Sequence, residues 1–241
     1  MGWAIRVRVT GELGGEGRNL RASARMRAVG EMFGVEGGMR HAKGPMRNRE
    51  RPGRRLWEGD AEVEIAAGEV VMICGASGTG KSTLLRRVEA GLRAAEAGAG
   101  VCARALRVLR LSEIALPENR AVVDCFSCSL QAAMGALARA GLSEARVLLR
   151  PPGALSEGEQ FRFRLAQFMA SDADVLVADA FGEPLDDLTA RVVSWNLGKF
   201  IGGSLAAGRP RGAIVATVRE ELIADLQPDR VIWMRGGGEE K

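Results

Sequence analysis

Short apolar runs alternate with stretches of helical composition along most of the chain, and this alternation predicts its architecture. Ala4–Thr10 alternates apolar residues with Arg and predicts a strand rather than a signal segment. Arg25–Phe33 reads as a short helix or turn, and Gly34–Arg55, rich in Gly, Pro, Arg and Lys, as a mobile linker. From Trp57 onward the pattern sharpens. Strands are expected at Glu69–Cys74, Ala121–Phe126, Asp174–Ala178, Ala213–Thr217 and Val231–Met234. Helices are expected at Lys81–Glu96, Leu130–Ala140, Gln160–Met169, Leu185–Phe200 and Glu220–Leu226. Strands that alternate with helices imply an α/β fold with a mainly parallel sheet flanked by helices. The division expected is a basic arm over residues 1–55, carrying one strand and a mobile linker, followed by a folded domain over 56–241.

Composition narrows the class without naming a function. The chain has 241 residues, 46% apolar and 27% charged, enough for one complete α/β domain. No apolar run reaches the roughly 18 residues of a membrane-spanning helix. Four cysteines (Cys74, Cys102, Cys125, Cys128) are too few for a disulfide scaffold, so a cytoplasmic location is expected. Cys125 and Cys128 form a C-x-x-C pair, but without a second pair, and with His41 far upstream, they read as ordinary half-buried thiols. Charge is uneven. Residues 1–55 carry thirteen Lys/Arg against five acids, a net +8, and the remainder carries −4. Such an arm can neutralise phosphates on nucleic acid or anionic lipid, or can simply be a solvated segment.

One segment carries specific chemistry. Gly75-Ala76-Ser77-Gly78-Thr79-Gly80-Lys81-Ser82 matches G-x-x-x-x-G-K-[ST], with an apolar run before it and a helical run, beginning with Thr83, after it. Gly75, Gly78 and Gly80 let backbone N–H groups curl round a phosphate with no Cβ in the way. Lys81 supplies a point charge to the β- and γ-phosphates, the Ser82 hydroxyl a ligand to Mg²⁺, and the helix N-terminus its positive end. ATP and Mg²⁺ are therefore the expected ligands.

A second segment, Leu155-Ser-Glu-Gly-Glu-Gln160-Phe-Arg162, resembles the signature of the ATP-binding cassette (ABC) ATPases, L-S-G-G-Q followed by an Arg-bearing helix. Ser156, Gly158 and Arg162 fall on matching positions, whereas Glu157 and Glu159 depart from the pattern. Asp179 closes an apolar strand 23 residues after Ser156, and Leu185-Asp186 follows. These resemble the family's Walker B carboxylate, a Mg²⁺ ligand through water, and its D-loop. The resemblance runs from about Glu62 to Met234. It implies a P-loop NTPase fold with a small helical subdomain carrying the signature. It also implies a homodimer around two nucleotides, with Ser156 and Gly158 reaching the γ-phosphate held by the partner. The phrase Ser156–Ala166 and the C-terminal Gln227–Met234 are similar to a soluble group of these ATPases, some of them fused to acetyltransferases.

Several hydrolytic parts of the family pattern are missing. Ala180 stands where the general-base Glu follows the Walker B Asp, and Glu183 is the nearby carboxylate that could substitute. Val218 stands at the position of the switch His. No Gln lies between Lys81 and Cys128, which leaves Asp124 as the candidate for the Q-loop, and Trp57 is the aromatic available to stack on adenine. The expectation is a soluble ATP-dependent dimerising switch with weak or absent hydrolysis. The alternatives are the ATP-binding subunit of a membrane transporter, with its membrane partner, and a nucleic-acid-associated ATPase using the basic arm.

Overall fold

Val70–Cys74 is apolar at every position, which suits a strand covered on both faces. In the computed structural model, which describes residues 3–9, 61–94 and 106–234, this segment is β3 and is buried throughout. Two other strands are buried along their whole length, β5 (Val175–Ala178) and β6 (Gly212–Thr217). With β4 (Val108–Arg110) and β7 (Arg230–Trp233) they form a parallel five-stranded sheet in the order β4-β5-β6-β3-β7.

The two faces of the sheet follow from the two-residue period of a strand. Met72, Cys74, Leu176, Ala178, Ala213 and Val215 point to one side. There they pack with apolar residues of α2 (Leu130–Arg139), α4 (Glu157–Ala170) and α5 (Asp187–Gly202). Val71, Ile73, Val175, Val177, Ile214 and Ala216 point to the other. They meet Leu84, Leu85, Val88 and Leu92 of α1 (Lys81–Ala94), together with Val63 and Ile65 of β2 (Ala61–Ala66). α2, a one-turn α3 (Ala145–Leu148) and α4 form the helical part that carries the signature sequence. Phe126 and Phe163 meet edge to face within it, at 6.0 Å between ring centres.

β1 (Ala4–Val9) pairs antiparallel with β2, from Ala4 opposite Ala66 to Val9 opposite Ala61. The pair lies close to α1. A Cβ on Gly91 would come within 2.3 Å of Val7, so only glycine lets helix and strand approach this far. The N-terminal strand thus belongs with the unit that contains the sheet. The expected helix at Arg25–Phe33, the linker at Gly34–Arg55, His41, Trp57 and Cys102 lie outside the described residues.

The structure departs from the sequence pattern at three places. Ala121–Phe126 is not a strand; Val122–Cys125 forms a 3-10 turn in which the Asp124 N–H donates to Ala121 O at 3.0 Å. Its backbone is satisfied locally and through Val122 N–H on Arg150 O, so it needs no sheet partner. The strand beside β5 is β4, whose three residues are too few to show a period. The Glu220–Leu226 segment starts as a 3-10 turn (Glu220–Leu222) and completes one α turn, α6 (Ile223–Leu226), before Gln227 turns left-handed at φ 50°.

Candidate functional site

The phosphate loop occupies the gap between the end of β3 and the start of α1, where chain and helix direction converge on one point. Gly75, Gly78 and Gly80 have φ of 151°, 78° and 95°, in the region that favours glycine. At Gly75 the backbone also approaches β7, because a Cβ there would lie 2.2 Å from Met234 O. Thr79 Oγ1 donates to Ala76 O at 2.9 Å and closes the loop on itself, while Ala76, Ser77 and Gly78 stay exposed. The Lys81 side chain folds back into the loop and donates to Gly75 O and Ala76 O, both at 2.7 Å. The ammonium is thus held on two carbonyl oxygens of the loop itself.

Asp179, just past the end of β5, comes to the same place. Ser82 Oγ donates to Asp179 Oδ1 at 3.0 Å, and the Ala180 N–H donates to the same oxygen at 3.1 Å. Two hard oxygens from the two expected Mg²⁺ positions therefore stand side by side, a donor set that fits a divalent cation kept partly hydrated. Thr83 begins the second half of the first helical turn, its N–H on Gly80 O at 3.0 Å.

The signature sequence starts α4. Ser156 is its N-cap and forms a reciprocal capping box with Glu159: Glu159 Oε2 accepts from Ser156 N at 2.8 Å and from Ser156 Oγ at 2.9 Å. These bonds, from the Ser156 backbone first, hold the Glu159 carboxyl below its ordinary pKa. Gly158 packs against the loop that follows Asp179, where a Cβ would lie 3.0 Å from Pro184 O. Arg162 ties the start of α4 to the preceding turn, donating to Gly141 O at 2.7 Å. Phe161 of α4 meets Phe181 edge to face at 5.5 Å, so the signature helix and the Asp179 loop share one apolar contact.

The expected hydrolytic positions are also located. Ala180 is exposed and left-handed at φ 52°; Glu183 is exposed in a turn closed by its own N–H on Ala180 O at 3.1 Å. Asp186 caps α5 through Thr189 N–H, 3.0 Å away, which holds its carboxyl below the usual range. Val218 is 39% exposed just past the end of β6. Asp124 sits in the 3-10 turn rather than after a strand.

Two arginines were not singled out by sequence and prove central. Arg110 ends β4 opposite Val177 of β5, and its guanidinium lies 3.9 Å from Asp179 Oδ2 while pairing with the buried Glu89 of α1. Arg219 clamps the Asp179–Asp187 loop, donating to Gly182 O at 3.0 Å, Leu185 O at 2.9 Å and Asp187 at 2.6 Å. The only sequence signal for Arg110 is an Arg closing the short apolar alternation Val108-Leu-Arg. Cys74 is buried, Cys125 donates to Ala121 O, and burial pushes both thiols up. Among the described residues, no group of three or more His, Cys, Asp or Glu could hold a metal ion.

A parallel sheet whose inner strand runs through a glycine loop into a helix, with a strand-end aspartate on the loop's serine, defines a P-loop nucleotide-binding protein. Within that class the chain belongs to the ABC transporter family, whose family model matches residues 59–184. It is 30% identical over 234 residues to the hemin import ATP-binding protein HmuV of Streptomyces coelicolor, covering 87% of this chain and 77% of the relative. It is 36% identical over 203 residues to the lipoprotein-releasing system ATP-binding protein LolD of Paramagnetospirillum magneticum, covering 73% of this chain and 86% of the relative. The dimeric structure of MJ0796, a bacterial ABC transporter cassette, superimposes with a TM-score of 0.54 at 20% identity, covering 76% of this chain and 89% of that one. Among the described residues no helix is long and apolar enough to cross a membrane.

Proposed function

We propose that the chain is the ATP-binding subunit of a membrane transport system, working as a pair of cassettes that ATP closes and that slow hydrolysis reopens. This replaces a free-standing soluble switch as the leading reading. Relatives named for hemin import and lipoprotein release span most of the chain and support a membrane partner. They offer no support for nucleic acid as the partner of the basic arm, which lies largely outside the described residues.

The observation that carries the ATP site is the convergence of Lys81, Ser82 and Asp179 at the end of the sheet. Gly75–Thr83 would cradle the phosphates, with Ser82 and Asp179 holding Mg²⁺, which supplies charge neutralisation at the β- and γ-phosphates when bound. Ser156 and Gly158 would complete the site of a second copy at the N-terminus of α4. What separates this chain from a fast motor is Ala180, whose methyl neither takes a proton nor orients water.

Two readouts test the proposal. Tagged protein isolated with Mg-ATP from detergent-solubilised membranes of its source should carry an integral membrane protein in stoichiometric amount. Light scattering should show a dimer with Mg-ATP and a monomer with Mg-ADP. A monomer in both nucleotides, or recovery free of any membrane protein, contradicts it.

A further inference from the structure

Arg110 stands beside Asp179 at the end of the sheet, next to the phosphate loop's serine. Its guanidinium stands between two acids: it pairs with Glu89 on one side and lies 3.9 Å from Asp179 Oδ2 on the other. Asp179 offers its remaining oxygen, Oδ1, to the Ser82 hydroxyl at 3.0 Å. The Arg side chain is only 14% exposed and that of Glu89 only 8%, so water and salt screen this charge weakly.

A structural ion pair does not account for all of this. Glu89 already has a second cation in Arg93, at 2.8 Å on its other oxygen. Arg93 is itself shared with Glu113 at 3.2 Å, so what sets Arg110 apart is its placement: Glu89 fixes it, and its other side faces the carboxylate that must meet a triphosphate. An arginine keeps its charge at any working pH and presents five donors, so contacts with both acids leave donors over.

We propose that Arg110 is a resident cation of the nucleotide site that takes over part of the charge otherwise brought by the divalent metal, so that this cassette holds ATP with little need for Mg²⁺. The proposal rests on the ATP-site reading above. Its physical basis is the repulsion between Asp179 and the triphosphate. A bound metal ordinarily offsets that repulsion; here Arg110 offsets it before any metal arrives. Asp179 and Ser82 remain able to hold the metal, which then adds less than usual. Arg110 acts as a ligand-side cation and has no role in proton transfer.

The test is isothermal titration of ATP into the full chain, in excess Mg²⁺ and in EDTA, for the wild type, Arg110→Gln and Arg110→Lys. A cation about 6–10 Å from a phosphate charge, at an effective dielectric constant near 20, contributes about 1.5–3 kcal/mol, or roughly 10–150-fold in affinity. The wild type should lose less than about tenfold on removal of the metal. Arg110→Gln should lose about 10–100-fold more in EDTA than it loses in Mg²⁺, and Arg110→Lys, which keeps the charge, should restore most of that difference. Equal metal dependence in the wild type and Arg110→Gln overturns the proposal while leaving the ATP site standing. A wild type that fails to bind ATP even with Mg²⁺ overturns the ATP-site reading as well. Should Arg110→Gln fail to fold by circular dichroism, the wild type alone decides: a loss above about tenfold in EDTA refutes the resident cation.

Discussion

Replacing Glu159 by Gln separates what this residue does for its own helix from what it does to a partner's phosphate. In the free chain Glu159 Oε2 accepts from Ser156 N at 2.8 Å and Ser156 Oγ at 2.9 Å, an arrangement a Gln amide oxygen can reproduce. The change therefore keeps the capping box and removes only the favourable charge at the helix N-terminus, about 0.3–1 kcal/mol. For a domain of this size that lowers the midpoint of thermal unfolding by about 1–4 °C. The effect on association has the opposite sign. If Ser156 meets a γ-phosphate of the second copy, the adjacent carboxylate lies within about 8 Å of it. At an effective dielectric constant near 40, like charges at that distance repel by roughly 1 kcal/mol. Two such contacts per dimer amount to about 2 kcal/mol, or roughly 30-fold in the dimer dissociation constant. Sedimentation equilibrium with Mg-ATP measures the second quantity and differential scanning fluorimetry the first. A variant whose ATP-dependent dimer is no tighter than the wild type's, within twofold, refutes the placement of α4 on the partner's nucleotide.

Other consequences can be checked separately. The carboxyl groups of Asp186 and Glu159 are held below their ordinary values by the N–H donors of Thr189 and Ser156. Their stabilising effect is complete above the unfolded values near pH 4 and is lost as pH falls through the lower folded values; melting curves from pH 7 to 3 should show it, and Asp186→Asn should flatten the fall. Arg211 is 4% exposed and donates to Phe168 O at 3.0 Å and to Ser171 O; Phe168 O keeps the Ser171 hydroxyl at 2.8 Å, so Arg211→Met should cost roughly 1–3 kcal/mol in urea denaturation by leaving Ser171 O unpaired. The double change Ala180→Glu with Val218→His restores an acid–base pair at the family positions and should raise ATP turnover by roughly 10²-fold in a phosphate-release assay. No gain in that assay would mean that the missing groups do not limit hydrolysis.

The buried strands and the phosphate loop were readable because each rests on a local rule. Val70–Cys74 and Val175–Ala178 are apolar throughout, and Gly75–Ser82 has fixed residues at fixed spacing, so neither needs tertiary context. Ala121–Phe126 failed for the complementary reason. Its apolar residues look like a strand, but its backbone bonds close within the turn and onto Arg150. β4 escaped notice because three residues show no period, and with it went Arg110, whose importance depends on pairing with β5 rather than on any spacing. Arg219 was hidden similarly. It follows Val218, the position that drew attention, yet it is Arg219 that holds the loop after Asp179. Glu159 was visible as a departure from the signature, but its grip on Ser156 became apparent only from the cap geometry of α4.

The most direct test of the account is calorimetric titration of Mg-ATP into the wild type and Lys81→Ala. The Lys81 ammonium sits on Gly75 O and Ala76 O at the centre of the loop, so removing it deletes the loop's own side-chain cation. The account predicts saturable ATP binding by the wild type and a loss of at least about tenfold in the variant, the lower end for a charge-assisted hydrogen bond. Equal affinity in the two proteins would contradict the assignment of residues 75–83 as the nucleotide site.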